Sequence, residues 1–154
     1  MIHDPSHHTG YLTWQLGQAT AQRLEKALRP IGISLAQVRA VVLASLDPGI
    51  SSAELARRSG LTAQSMGAAV QGLVDRGALE RSPHPENRRV QRLHVTDEGL
   101  ALAERAQSAL ERVQDEMFGV LPERERAALH RALHRVVEHN IPEALRTVVP
   151  PEGD

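Results

Sequence analysis

The residues of this chain able to do chemistry are arginines, glutamines, histidines and hydroxyls, because the 154 residues include no cysteine. That absence removes disulfides, thiolate zinc sites and thiol catalysis or redox sensing together. His130 and His134 have the i, i+4 spacing that puts two imidazoles on one metal, with His139 a little beyond. No carboxylate and cysteine set stands near them to complete a site, so no metal and no cofactor is expected. His3, His7 and His8 read as part of a mobile terminus. The serines lie outside any nucleophile elbow, and neither a phosphate-binding glycine loop nor a zinc-protease motif is present. The chain therefore does not read as an enzyme.

Charge points elsewhere. The net charge is -1, but residues 1–50 carry +1, residues 51–92 carry +3 and residues 93–154 carry -5. Lys26 is the only lysine, so the cationic surface is almost entirely arginine, whose planar fork suits phosphate and guanine edges. An ordinary solvated surface would explain the excess equally well until it is placed on a motif.

The motif is Glu54 to Val70, ELARRSGLTAQSMGAAV. A short helix opens at Ser51, with Glu54 placed for a capping box, and stops at Ser59-Gly60; Thr62 caps the next helix, which Gly77 ends. Ala56 is small where the two helices cross, and Leu55, Leu61, Met66, Val70 and Leu73 face inward. Thr62, Ala63, Gln64, Ser65, Gly67, Ala68 and Gln71 then lie outward, where small residues admit a close approach and glutamines reach base edges. Gly67 implies that DNA or a neighbouring helix comes close. Arg57 and Arg58 are further phosphate candidates. Ala78–Ser82 and Val90–Val95 read as two strands around Pro83-His84-Pro85-Glu86-Asn87, and Arg81, Arg88, Arg89 and Arg92 flank the tip of that hairpin.

Longer helices must hold this unit. Leu12, Leu16, Ala19, Leu24 and Leu28 form a stripe that Pro30 and Gly32 end, and Ser34 with Gln37 opens a second helix marked by Leu35, Val38, Val42 and Leu46. Thr96 opens a fifth helix striped by Leu100, Ala103, Ala106, Leu110, Val113 and Met117. Pro122, at a first helical position, opens a sixth with Leu129, Leu133, Val136, Val137, Ile141 and Leu145, which Pro142 kinks or ends; residues 147–154 are a frayed tail.

From ELARRSGLTAQSMGAAVQGLVDRGALERSPHPENRRVQRLHVTDEG the chain resembles the MarR (multiple antibiotic resistance regulator) family over nearly its whole length. The resemblance implies a mainly α fold with a small β-hairpin wing: a winged helix-turn-helix with long N- and C-terminal dimerisation helices. Residues 1–154 would form a single domain, with 34–95 as the DNA-binding lobe and 8–30 and 97–146 as the dimerisation helices. The implied protein is a repressor binding a palindromic operator in double-stranded DNA as a homodimer. The family's wing carries Asp-x-Arg where this chain has Asn87, Arg88 and Arg89, so its arginine loses a charged partner. A pocket between the dimer helices and the DNA lobe is also implied, with Tyr11, Trp14 and Arg39 as candidates for a small aromatic or anionic ligand, and packing as the simpler role for each.

The surplus of apolar stripe supports self-association through Leu12, Leu16, Leu110, Val113, Met117, Leu129, Leu133, Val137 and Ile141. Relatives that sense zinc place a histidine pair in the fifth helix, which has none here. A metal-responsive regulator and a winged-helix protein-interaction module remain as alternatives. The first residues, MIHDPSHH, are unlike a signal peptide, and no apolar run approaches the roughly 20 residues of a membrane span, so a cytoplasmic protein with no membrane partner is expected.

Overall fold

The computed structural model describes residues 4–85, 87 and 90–145. Helix α1 (Thr9–Leu28) passes through a 3-10 turn at Arg29–Ile31 into Gly32, whose φ of 70° provides the left-handed turn. Helix α2 (Leu35–Leu46) opens on the expected capping box: the Ser34 hydroxyl accepts from the Gln37 N–H, and the Gln37 side chain accepts from the Ser34 N–H.

A short strand β1 (Ile50–Ser51) leads into α3 (Ser52–Ser59) and α4 (Ala63–Asp75). Strands β2 (Leu79–Pro83) and β3 (Gln91–Val95) form the hairpin, and β1 adds to the other edge of β3 to give an antiparallel sheet in the order β1-β3-β2. The register sets Ile50 opposite Leu93 and Arg81 opposite Leu93 from the other side. Pro83, expected in the tip, closes β2 instead. An edge strand tolerates it because the missing N–H is not needed by a further neighbour. Ile50–Ser51 carried no strand signal of its own, since two residues are too few to show alternation.

Helices α5 (Asp97–Phe118) and α6 (Glu123–Asn140) complete the chain, followed by a 3-10 turn at Pro142–Leu145. Pro122 is the N-cap of α6 rather than its first helical residue, and the helix ends before Pro142. Residues 147–154, expected as a tail, lie outside the described residues.

The core joins the end of α1, α2, α3, α4 and the sheet to one side of α5 through Leu28, Val41, Leu55, Met66, Leu73, Leu93 and Leu102. Two stripes differ from expectation. On α2 the buried residues are Val38, Ala40, Val41 and Ala44, while Val42 and Leu46 face outward. On α5 they are Gly99, Leu102, Ala106, Ala109 and Val113, while Leu100 is exposed. Small residues let α5 approach closely, and periodicity weighted toward large apolar side chains picks the neighbouring stripe. Helix α6 buries no residue within the single chain. Among the described residues no single helix is long and apolar enough to cross a membrane.

Candidate nucleic-acid interface

The turn between α3 and α4 is built from local hydrogen bonds. Ser51 caps α3 by accepting from the Glu54 N–H. At the other end Gly60 takes φ 63°, while its N–H reaches the Arg57 carbonyl and the Leu61 N–H reaches the Ala56 carbonyl at 3.0 Å. These two bonds make a Schellman closure, which satisfies carbonyls that the helix end would leave unpaired. Thr62 caps α4 by accepting from the Ser65 N–H at 3.1 Å and donates to the Ser65 hydroxyl at 2.9 Å.

With Leu55, Ala56, Met66, Val70 and Leu73 buried, α4 turns Thr62, Ala63, Gln64, Ser65, Ala68 and Gln71 to solvent, with Gly67 half-buried between them. Among the described residues a β-carbon on Gly67 would meet nothing within 4 Å, so the packing of the described helices does not require glycine there. The helix-packing glycine of α4 is Gly72, where a β-carbon would stand 2.7 Å from the Gln37 amide nitrogen on α2. Gln71 is anchored, donating to Asp75 at 2.6 Å.

Arg57 and Arg58, the phosphate candidates of α3, both form ion pairs within the chain. Arg57 forms a two-pronged pair with Glu54, and Arg58 spans from Glu54 at 2.6 Å to Asp47 at 2.9 Å with its side chain largely buried. Their hydrogen bonds, Arg57 first and Arg58 second, lower the Glu54 pKa to about 2. One acidic residue, Glu54, three positions before Arg57 and four before Arg58, was the sequence signal for pairing along the helix.

In the wing, the Val90 N–H donates to the Asn87 carbonyl at 2.9 Å and the His84 N–H to the Val90 carbonyl at 3.0 Å. Arg92 reaches back to the His84 ring at 3.4 Å and also covers Gly49, while Arg81 is exposed. Arg88 and Arg89 lie outside the described residues, as does any bond between Asn87 and Arg89.

Between α2, the end of α3 and α5 lies a cavity of about 620 Å³ that Ile141 and Ala144 help to enclose. Leu35, Val42 and Leu110 give it apolar walls, and Arg39, Arg57, Arg58 and Ser59 form its polar end. Arg39 donates to the Ser59 carbonyl at 3.1 Å. Of the ligand candidates only Arg39 lines this space. On the first turns of α1, Tyr11 is half-buried and Trp14 exposed, their rings 6.3 Å apart, and neither lines the cavity.

Of the residues expected to pair protomers, Leu12, Leu16 and Ile141 are exposed, and Leu110, Met117, Leu129, Leu133 and Val137 are half-buried in the single chain. Val113 is already buried within the single chain, with α5 packed on α1. His130 and His134 are exposed on α6 with rings 6.3 Å apart, and His134 lies 3.9 Å from Glu138. Among the described residues no group of three histidines or carboxylates is gathered closely enough to hold a metal.

A buried two-helix turn presenting one polar helix face, followed directly by an antiparallel hairpin, defines a winged helix-turn-helix protein. The sequence pattern of the MarR family matches residues 31–90. The transcriptional repressor Rv2887 of Mycobacterium tuberculosis is 35% identical over 101 residues, spanning 66% of this chain and 73% of that protein. Its crystal structure with salicylic acid superposes with a TM-score of 0.71 at 30% identity, covering 83% of this chain and 95% of that one. The structure with DNA superposes with a TM-score of 0.73 at 29% identity, covering 83% and 96%. The chain belongs to the MarR family of DNA-binding transcriptional regulators.

Proposed function

We propose that this protein is a ligand-responsive repressor that grips an inverted-repeat operator as a homodimer, not an enzyme, acting in the cytoplasm where its operator lies. The observation that carries the reading is the exposed face of α4 between Thr62 and Gln71, which follows the helix-turn and precedes the hairpin and is left open to solvent among the described residues. In this reading Gln64 and Gln71 touch base edges, Thr62, Ala63, Ser65, Gly67 and Ala68 allow the helix to settle into the major groove, and Arg88 and Arg89 reach from the wing to the backbone or minor groove. Residues 34–95 serve as the DNA lobe, and residues 8–30 and 97–146 carry the dimer within a single domain. An α6 with no buried residue supports the dimer, since an amphipathic helix is stable chiefly through what its apolar face covers.

The cavity supports the ligand. Its apolar walls and arginine-lined end suit an amphipathic organic anion, and Rv2887 has been crystallised with salicylic acid. The test is a titration of the purified protein with duplexes drawn from the DNA beside its gene. Binding should be tight on an inverted repeat, should weaken steeply as salt rises, and should be relieved by salicylate. Binding of all duplexes alike, or of a protein partner in place of DNA, would overturn the reading.

A further inference from the structure

The polar end of the cavity and the turn of the DNA-reading motif share one peptide group. Ser59 is the last residue of α3, and its carbonyl belongs to the peptide that enters Gly60. A helix leaves its final carbonyls without intrahelical partners, and this one is satisfied from outside by the Arg39 guanidinium of α2 at 3.1 Å. The cation also faces the negative end of the α3 dipole, which strengthens the contact. Arg39 therefore ties α2 to the turn that aims α4.

Charge distribution around the cavity singles out the same side chain. Arg57 is paired with Glu54, and Arg58 with Glu54 and Asp47. Arg39 is bound instead to a neutral carbonyl. That bond already has an ionised donor, and a carboxylate in place of the carbonyl would add the attraction between opposite charges. An organic anion entering the cavity would thus gain most at Arg39, whereas at Arg57 or Arg58 it would have to displace a carboxylate already in place.

We infer that Arg39 is the residue through which the ligand acts on DNA binding: it exchanges the Ser59 carbonyl for the carboxylate of a small organic anion and so releases the α3–α4 turn from α2. This rests on the ligand-responsive reading above and adds the route by which occupancy reaches the recognition helix. The exchange favours one negative charge. A monoanion replaces one neutral acceptor, and no second arginine at the cavity is left without a carboxylate partner to hold a dianion.

The experiment is amide hydrogen exchange on the full-length protein with and without salicylate, alongside operator binding by fluorescence anisotropy. In the wild type, salicylate should release operator and speed exchange of the Gly60 and Leu61 amides about fivefold to tenfold. Arg39→Met should show fast exchange at those amides without ligand and bind salicylate at least tenfold more weakly. Arg39→Lys, which keeps the charge, should retain part of both responses. Salicylate that binds the wild type and releases operator while leaving Gly60 and Leu61 exchange unchanged would overturn the relay alone. Salicylate that neither binds nor releases operator would overturn the ligand-responsive reading and the relay with it. The wild-type exchange arm decides the matter even if Arg39→Met does not fold.

Discussion

A β-carbon placed on Gly99 would stand 2.1 Å from the carbonyl oxygen of Ala78, so the first turn of α5 rests directly on the backbone that enters β2. Thr96 fastens the same junction: its N–H donates to the Ala78 carbonyl at 3.2 Å, and its hydroxyl donates to the Gly77 carbonyl at 2.6 Å. The opposing group is main chain and cannot swing aside. Gly99→Ala should therefore destabilise the protein by about 3 kcal/mol, at the upper end of what overpacking costs, despite the helix propensity gained. Urea denaturation measures this directly, and an unchanged midpoint would disprove the contact.

Gly67 should behave in the opposite way. With open space around its missing β-carbon, Gly67→Ala should stabilise the isolated protein by about 1 kcal/mol through helix propensity. Operator affinity should drop about tenfold, because the methyl group would occupy the face that approaches DNA. Thermal melts and anisotropy on the same preparation separate the two effects. A variant both more stable and equally tight on operator would show that nothing approaches closely at Gly67.

Gln64→Ala should relax discrimination at one base position in each half-site by about 1 to 3 kcal/mol while leaving the salt dependence unchanged. Arg58→Ala should reduce fold stability, since it removes a partner from both Glu54 and Asp47, and should likewise leave the salt slope of operator binding untouched. Binding measured over a range of salt concentrations, on matched and single-mismatch duplexes, tests both. A slope reduced by about one for Arg58→Ala would return it to the phosphate contacts.

Acid should loosen the lobe through Glu54. Its carboxylate is held at about 2 in the folded chain against an ordinary 4.5, so its contribution is complete above 4.5 and disappears as pH falls from there through about 2. Glu54→Gln should cost about 1 kcal/mol near neutral pH, discounted for the solvent that reaches Arg57. It should also flatten the loss of stability in that acid window. Urea midpoints at a series of pH values, wild type against variant, provide the comparison; parallel curves would contradict the assignment.

Leu133→Asp should separate the protomers or unfold them, by placing a carboxylate within the apolar stripe of a helix that has no fully buried residue in its own chain. Light scattering of wild type and variant at micromolar concentration reads the mass. A well-folded wild-type monomer would refute the dimer.

Much of this protein was legible in its sequence because the determining interactions span one helical turn. Ser34 with Gln37, Thr62 with Ser65 and Thr96 with Gly99 are caps whose donor and acceptor are three residues apart, and Gly60 and Gly77 mark helix ends by the left-handed backbone they accept. From these the order of helices, the turn and the hairpin could be written down, and with them the outward face of α4. Three features needed the folded chain: the pairing of Ile50 with Leu93, the seat of Gly99 on Ala78, and the gathering of Arg39, Arg57 and Ser59 around one cavity. Each joins residues far apart in the chain, so nothing within a window of sequence records it. Glu54 stood between both kinds of information. Its backbone N–H met Ser51 as the capping pattern required, but its carboxylate found Arg57 and Arg58 instead of completing the box, because a charged partner outbids a neutral N–H for a carboxylate.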